Sequence, residues 1–359
     1  MEVRPLRYLS AADVAAAMPG IDERLRLAER TMVALAGAAE LPPKIGVHPA
    51  EAGSFAHAMP ALLHGEAPDG SDGLLGVKWV AGFPSNVAAG LPAVHGTTIL
   101  SDARTGEPRA FIDAGALTAH RTAALSGLAV QRWGPRPGDG ATVALIGAGA
   151  QARSHLPVIA HLLPDANVVI CDRDSARATA LAHEIEAGAR PAAPPEGAAA
   201  TEEAATGSSA VGPGAPGLGQ FRSIRTTRHP PEAIAGADLV LTLVSFGPLR
   251  QSIPEAGFTR GAIVVSVDYD MCVPASLAAG AGLFLVDHRE QYLANRTETA
   301  FVGYPERVTT IGEAISAGMS RPDGRVLVTH LGVGLADVVF ADAVLRTAEV
   351  LGIGTILAR

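Results

Sequence analysis

Residues 141–163, ATVALIGAGAQARSHLPVIAHLL, constrain the fold more than any other stretch of this chain. The apolar run VALI meets the turn Gly147-Ala148-Gly149-Ala150-Gln151-Ala152, and a helical-period segment follows. This is a GxGxxA pattern set between a strand and a helix. The first glycine permits the tight turn, the second lets a pyrophosphate approach the backbone, and the small third residue lets helix and strand pack closely. Ala150 and Gln151 open the helix, whose N-terminal N–H groups and dipole favour an anion. Glycine turns of this form also occur in α/β chains that bind no nucleotide, so context decides. Here Asp172 closes the next apolar run, ANVVICD. A carboxylate at that place accepts hydrogen bonds from an adenosine ribose and repels a 2′-phosphate, which favours NAD. Arg173 beside it suits a 2′-phosphate and keeps NADP open.

The runs FRSIRTT, ADLVLTLVS, AIVVSVDYD and LFLVD continue the alternation of strand and connecting segment. Alternation of this kind predicts a Rossmann-type, doubly wound parallel sheet covered on both faces. Ser245, which closes ADLVLTLVS, is assigned to the cofactor-binding set with Gly147, Gly149, Ala150, Gln151, Asp172 and Arg173. Residues 188–220 are Ala, Gly, Pro, Ser and Glu with almost no large apolar residue, and are predicted to be a disordered surface insert.

The first third has a different texture. Residues 10–38 read as two helices, with Ser10 capping the first. Pro42-Pro43 breaks the pattern, and residues 44–113 are short apolar runs punctuated by Gly, Pro and Asn. TTILSDARTGEPRAFID predicts a hairpin with Gly106 at its turn. LTAHRTAALSGLAVQRWG predicts a helix with Thr118 near its start. The closing helix, LADVVFADAVLRTAEVLG, is expected to pack back on this half. The expected organisation is a second, α+β substrate and dimerisation domain from 1–125 with 311–359, and a nucleotide-binding domain from 126–310.

Composition sets outer bounds. A net charge of −8 argues against a general nucleic-acid binder, which needs a basic face. No apolar run reaches the roughly 18 residues of a membrane span. MEVRPLRYLSAADVAAAMPG lacks the apolar core of a signal peptide. Cys171 and Cys272 make neither a disulfide framework nor a zinc site, so no metal is expected and a reducing cytoplasm fits.

LLGVKWVAGFPSN places Lys78 inside what reads as a buried strand. A buried ammonium needs an anion, from the protein or from a ligand. Lys44 follows the proline pair, and Arg121 sits among small residues of its helix. Three cations converging on one pocket suit a carboxylate substrate, with Arg121 binding it bidentately; separate salt bridges to Asp or Glu are the competing reading. Asp268 and Asp270 lie past the end of a predicted parallel strand, where ligands bind. An acid there is placed for general acid/base work, or it is simply a solvated loop acid.

The ordered set KWVAGFPSN, GLPAVHGTTILSDARTGEPRAFID, LTAHRTAA, IGAGAQA and LGVGLADVVFADAV resembles the ornithine cyclodeaminase/mu-crystallin family over nearly the whole chain apart from the insert. The resemblance implies a nicotinamide enzyme acting on amino acids or cyclic imines, and a homodimer. It implies that Lys44 stands where the family usually has an arginine holding the substrate carboxylate, that Lys78 and Arg121 match the family's lysine and second arginine, and that Asp270 matches the catalytic aspartate. Thr118 and Thr122 would flank the pocket, and Asp337 would match the acid of the closing Gly-x-x-x-x-Asp pattern, with Thr118 and Asp337 on the cofactor side. Two departures stand out. His57 occupies the place of a glutamate that helps grip a diamino acid, and VDYDMCVPASL lacks the usual Pro-Gly-Lys-x-Glu-Leu. His57 is either a pH-sensitive pocket group or a satisfied near-core histidine.

Three functions remain open at this level. An imine reductase or amino-acid dehydrogenase would use Lys44, Lys78 and Arg121 on the carboxylate and Asp270 on the nitrogen proton. An ornithine- or lysine-type cyclodeaminase would release ammonia with no net nucleotide change. A non-catalytic, nucleotide-dependent binder or accessory subunit is the third.

Overall fold

A computed structural model describes residues 5–65, 72–188, 221–247, 249–298 and 300–358. The segment expected to be a disordered insert lies, from 189 to 220, outside the described residues.

The chain enters through β1 (Leu6–Leu9), α1 (Ala11–Ala17) and α2 (Ile21–Ala34). Ser10 and Asp13 cap α1 reciprocally, each side chain taking the other's backbone N–H, as the sequence suggests. Strands β2 (Ala39–Glu40), β3 (Ile45–Val47), β4 (Phe55–Leu63), β5 (Leu74–Gly82), β6 (Val94–Asp102) and β7 (Pro108–Asp113) follow, then α3 (Ala114–Trp133). The expected hairpin is β6–β7, with Gly106 at φ 75° in its turn. Asp113, four residues before the expected start, caps α3 by accepting from the Gly115 N–H. The last strand, β16 (Thr355–Leu357), pairs antiparallel with β1, giving the order β16-β1-β7-β6-β5-β4-β2, with β3 on β4.

The second sheet holds β8 (Thr142–Ile146), β9 (Asn167–Cys171), β10 (Ser223–Thr227), β11 (Leu239–Thr242), β12 (Ile263–Ser266), β13 (Leu283–Val286), β14 (Thr309–Thr310) and β15 (Val326–Thr329). Its order is β10-β9-β8-β11-β12-β15-β13-β14, and every pairing is parallel. Helices α4 (Ala150–Leu162), α5 (Ser175–Glu186), α6 (Pro230–Ile234), α7 (Ala275–Ala279), α8 (Arg289–Glu298) and α9 (Ile311–Ser316) connect the strands. All residues of β11, β12, β13 and β15 are buried, as expected of strands covered on both faces. The strand order reverses between β8 and β11, and the crevice at their carboxyl ends is where such sheets bind ligands.

The boundary expected at 311 shifts. β15 inserts between β12 and β13, so residues through 329 return to the second sheet. A four-residue apolar run among glycines and charges is too short to announce itself by periodicity. α9 meanwhile packs on α2 so closely that a Cβ on Gly312 would lie 1.9 Å from the Met32 carbonyl oxygen.

The last helix, α10 (Gly334–Leu351), packs on the first sheet as expected. In β5, residues 74, 76, 78, 80 and 82 face inward, so Lys78 shares its face with Gly76. A Cβ on Gly76 would lie 2.6 Å from the Ile99 carbonyl oxygen and 3.0 Å from Val338 Cγ2. The missing side chain is what lets α10 lie against β5 beside Lys78.

Candidate active site

The phosphate-binding turn forms as its glycines require. Gly147 adopts φ 107°, and its N–H donates to the Cys171 carbonyl at 2.7 Å. A Cβ there would lie 2.8 Å from the Leu243 carbonyl oxygen. At Gly149, by contrast, no atom lies within 4 Å of an added Cβ, so the backbone is open to a ligand. Gly149 caps α4 without any side-chain hydrogen bond, leaving the first N–H groups of a 13-residue helix for an anion. Asp172 directly follows β9, accepting from Ala148 N and Asp174 N at 2.9 Å each. A carboxylate has about four lone-pair sites, so capacity remains for ribose hydroxyls. Arg173 is exposed beside it, and Ser245 is exposed on the loop after β11. These residues fit a dinucleotide, with Ala150 and Gln151 in the first turn of α4.

Lys78 is buried and donates to Asp337 Oδ1 and to Thr118 Oγ1, both at 3.1 Å. Arg121 Nε donates to the same Asp337 oxygen at 3.0 Å. The first anion that Lys78 meets is therefore a protein carboxylate. Asp337, and with it Thr118, belong to the cation cluster rather than to the nucleotide turn. Asp337 is fully buried, and Arg121 and Lys78 hold its carboxyl below the usual carboxylate range despite that burial. Its Oδ2 has no hydrogen-bond partner among the described residues. Loss of water pushes the Lys78 ammonium down to about 8, with Asp337 opposing the shift.

Lys44 joins the cluster through the loop after β15. It donates to the Leu331 carbonyl at 2.8 Å and approaches the Tyr269 hydroxyl at 3.4 Å. Tyr269 donates to the same carbonyl at 3.2 Å. Desolvation brings Lys44 to about 8, with Asp287 raising it and Arg121 lowering it. The buried Asp287 accepts from the N–H groups of Gly332 at 2.7 Å and His288 at 2.9 Å, and burial raises its carboxyl. Gln291 donates to the Gly332 carbonyl at 3.1 Å. Gly332 has φ 80°, and a Cβ there would lie 3.1 Å from both terminal nitrogens of Arg121. Tyr269 and Asp287 escaped the sequence reading. Yet Tyr269 stands between the two acids of VDYD, and Asp287 ends the run LFLVD, by the same strand-end logic that singled out Asp268.

His57 stacks on Phe55 with centroids 4.8 Å apart. Partial burial, then Lys44, His48 and Lys78, push its imidazole down to about 4, so it faces the cluster as a neutral ring. Thr122 donates to the Thr118 carbonyl at 2.7 Å within α3. Asp268 is buried and accepts from Thr242 at 2.7 Å and Ser266 at 3.1 Å, which explains it as a structural acid raised by burial to about 6. Asp270, expected as the catalytic aspartate, has protein partners of its own. It pairs with Arg250 at 3.0 Å and accepts from Phe301 N at 3.0 Å, while its Oδ1 is buried without a hydrogen-bond partner among the described residues. None of those contacts is to Lys44, Lys78 or Arg121.

Asp337→Asn removes the anion that two buried cations share. Breaking a buried pair this way costs about 3–5 kcal/mol. Urea denaturation should show a loss of that size, and an Asp337→Asn variant as stable as wild type would refute the shared pairing.

A sequence model of the ornithine cyclodeaminase/mu-crystallin family matches residues 10–208. Nodulation efficiency protein NfeD of Rhizobium meliloti is 28% identical over 369 residues, 99% of this chain and 99% of that protein. Delta(1)-pyrroline-2-carboxylate reductase 1 of Burkholderia multivorans is 35% identical over 160 residues, covering 44% of this chain and 47% of that reductase. The structure of Thermococcus litoralis Delta(1)-pyrroline-2-carboxylate reductase in complex with NADH and L-proline superposes with a TM-score of 0.76 at 21% identity, covering 98% of this chain and 100% of that chain. The matched residues, the glycine turn and the cation cluster assign one membership: the chain belongs to the ornithine cyclodeaminase/mu-crystallin family.

Proposed function

We propose that the protein is an NAD(P)-dependent imine reductase, running in reverse as an amino-acid dehydrogenase, on a small imino acid with one carboxylate. The observation that carries this reading is the charge of the cluster. Three cations, Lys44, Lys78 and Arg121, meet one acid held in its ionised form, Asp337, while burial raises the carboxyl of Asp287. Positive charge is left over, and a substrate carboxylate offsets it. The neutral His57 supplies no anion for a second ammonium, which counts against a diamino-acid substrate and hence against a cyclodeaminase. The reductase relatives act, by name, on a cyclic imino acid of this kind.

When bound, a nicotinamide cofactor supplies the hydride for the imine carbon. The residues of this chain do the rest. Lys44 and the terminal nitrogens of Arg121 hold the carboxylate. Lys78 gives its proton to the imine nitrogen, so that C=N plus hydride plus proton becomes an amine; an ammonium brought to about 8 is matched to that task. The unpartnered Asp337 Oδ2 accepts the new N–H. Lys78 takes the proton-transfer role in place of Asp270, whose contacts lie with Arg250 and Phe301.

Absorbance at 340 nm and ammonia release, followed together, test this. NADH with pyrroline-2-carboxylate should be consumed without ammonia. Ammonia from ornithine or lysine without net nucleotide change would establish a cyclodeaminase instead, and silence in both would leave a binder. Lys78→Ala should lower kcat on the order of 10²–10⁴-fold. Reduction should also slow as pH rises through about 8, where Lys78 and Lys44 lose their protons. In Lys44→Arg the second cation no longer titrates there, so a surviving limb in kcat belongs to Lys78, and its disappearance would move the role to Lys44.

For the cofactor, Asp172→Ala should erase about tenfold or more of the preference for NADH over NADPH. An unchanged ratio would mean the ribose acid lies elsewhere.

The outer face of the first sheet supports a homodimer. Cross-strand register places Tyr8, Phe111, Ile99 and Val77 in one row, with Trp79 beside it. Trp79 is 48% and Tyr8 41% exposed. A contiguous apolar row on an open sheet suits a second copy. A monomer mass in sedimentation equilibrium would remove this part of the proposal. Among the described residues no helix is long and apolar enough to cross a membrane. The two free buried cysteines suit a reducing compartment, so a cytoplasmic location belongs to the same proposal.

A further inference from the structure

Ser126, His155 and His330 form a buried cluster that the reaction described above does not use. They come from three elements: α3, α4 and the loop after β15. Ser126 Oγ lies 2.8 Å from His155 Nε2 and 2.9 Å from His330 Nε2. His155 Nδ1 lies 2.7 Å from the Gln151 carbonyl oxygen. Burial pushes both imidazoles well down, to about 4 for His155 and about 3 for His330, so both are neutral.

These contacts allow only one arrangement of protons. A carbonyl oxygen only accepts, so His155 Nδ1 carries the hydrogen. In a neutral ring Nε2 is then bare and must accept, so Ser126 donates its single proton there. Ser126 Oγ can in turn only accept from His330, which carries its hydrogen on Nε2. The chain runs one way: His330 to Ser126, Ser126 to His155, His155 to the Gln151 carbonyl. Ser154 Oγ donates to that carbonyl as well, at 2.9 Å.

Its two ends matter. Gln151 lies in the first turn of α4, whose N–H groups no capping side chain occupies. His330 opens the loop whose next residue, Leu331, offers its carbonyl to Lys44 and Tyr269, and whose Gly332 lies under Arg121. α3, which carries Ser126, also carries Thr118 and Arg121. We propose that Ser126, His155 and His330 are positioning residues that tie the nucleotide turn to the substrate-carboxylate loop, so that each site's occupancy tightens the other. This rests on the reading of the two turns as nucleotide and substrate sites. A chain with one permitted direction resists displacement at either end, which is how such buried networks rigidify a structure.

The test is a coupling measurement by titration calorimetry, with NADH and with pyrrole-2-carboxylate as a planar carboxylate probe. In wild type, saturating NADH should tighten the probe by about fivefold or more, and the probe should tighten NADH by the same factor, because coupling is reciprocal. Ser126→Ala should bring that factor to within about twofold of one while each ligand alone keeps its Kd within about threefold. His330→Gln retains an N–H donor toward Ser126 and should keep the coupling; His330→Leu should lose it. The histidine pair decides the matter if Ser126→Ala does not fold. A wild type with no coupling, or a folded Ser126→Ala with coupling intact, overturns the proposal and leaves the functional reading standing. Wild-type protein that binds neither ligand overturns the functional reading and the coupling with it.

Discussion

A single carboxylate oxygen, Asp337 Oδ1, receives both Lys78 and Arg121 in the protein interior. The three residues come from β5, α3 and α10, so the site exists only when the C-terminal helix has returned to the N-terminal sheet. Desolvating three charges costs nearly as much as their attraction returns, so this triad is weak as a source of stability. Its effect is geometric. It fixes the direction of the Lys78 ammonium and, among the described residues, leaves Asp337 Oδ2 without a hydrogen-bond partner. Gly76 is the local condition for it, since any side chain there would push α10 off β5.

The loop from His330 to Gly332 is the second organising element. Leu331 turns its carbonyl toward Lys44 from the first domain and Tyr269 from the second. Asp287 and Gln291 hold both backbone groups of Gly332, and the positive φ of that glycine lets Arg121 lie against it. This loop thus ties Lys44, beside the first sheet, to Tyr269, which follows β12 of the second. Two lysines brought near 8 follow from the same burial. They stay charged at neutral pH yet hold their protons more loosely than solvated lysines do.

The competing chemistries of this family differ by one charge. A diamino acid brings a second ammonium and needs an anion for it, whereas a cyclic imino acid brings only a carboxylate and a ring. Near the cluster this chain offers a neutral imidazole at position 57, stacked on Phe55, and no spare carboxylate beyond Asp337 and Asp287 among the groups that shift its lysines. The proposed substrate is of the second kind.

The sequence alone determined the parts that depend on local order. The glycine turn, its strand and helix, the acid at the end of the next strand, the β6–β7 hairpin and the cap of α1 are written within a few residues and are found in place. So is the need for an anion at Lys78, because burial of an ammonium within an apolar strand is itself local information. What the tertiary structure decided was identity of partners. That Lys78 meets Asp337, 259 residues away, that Asp270 turns to Arg250, that β15 slips into the second sheet, and that Tyr269 and Asp287 complete the cluster all depend on how distant elements pack. A strand's periodicity states which face a side chain takes. It carries no information about which helix will later cover that face, and the chemistry of the site lies in that second fact.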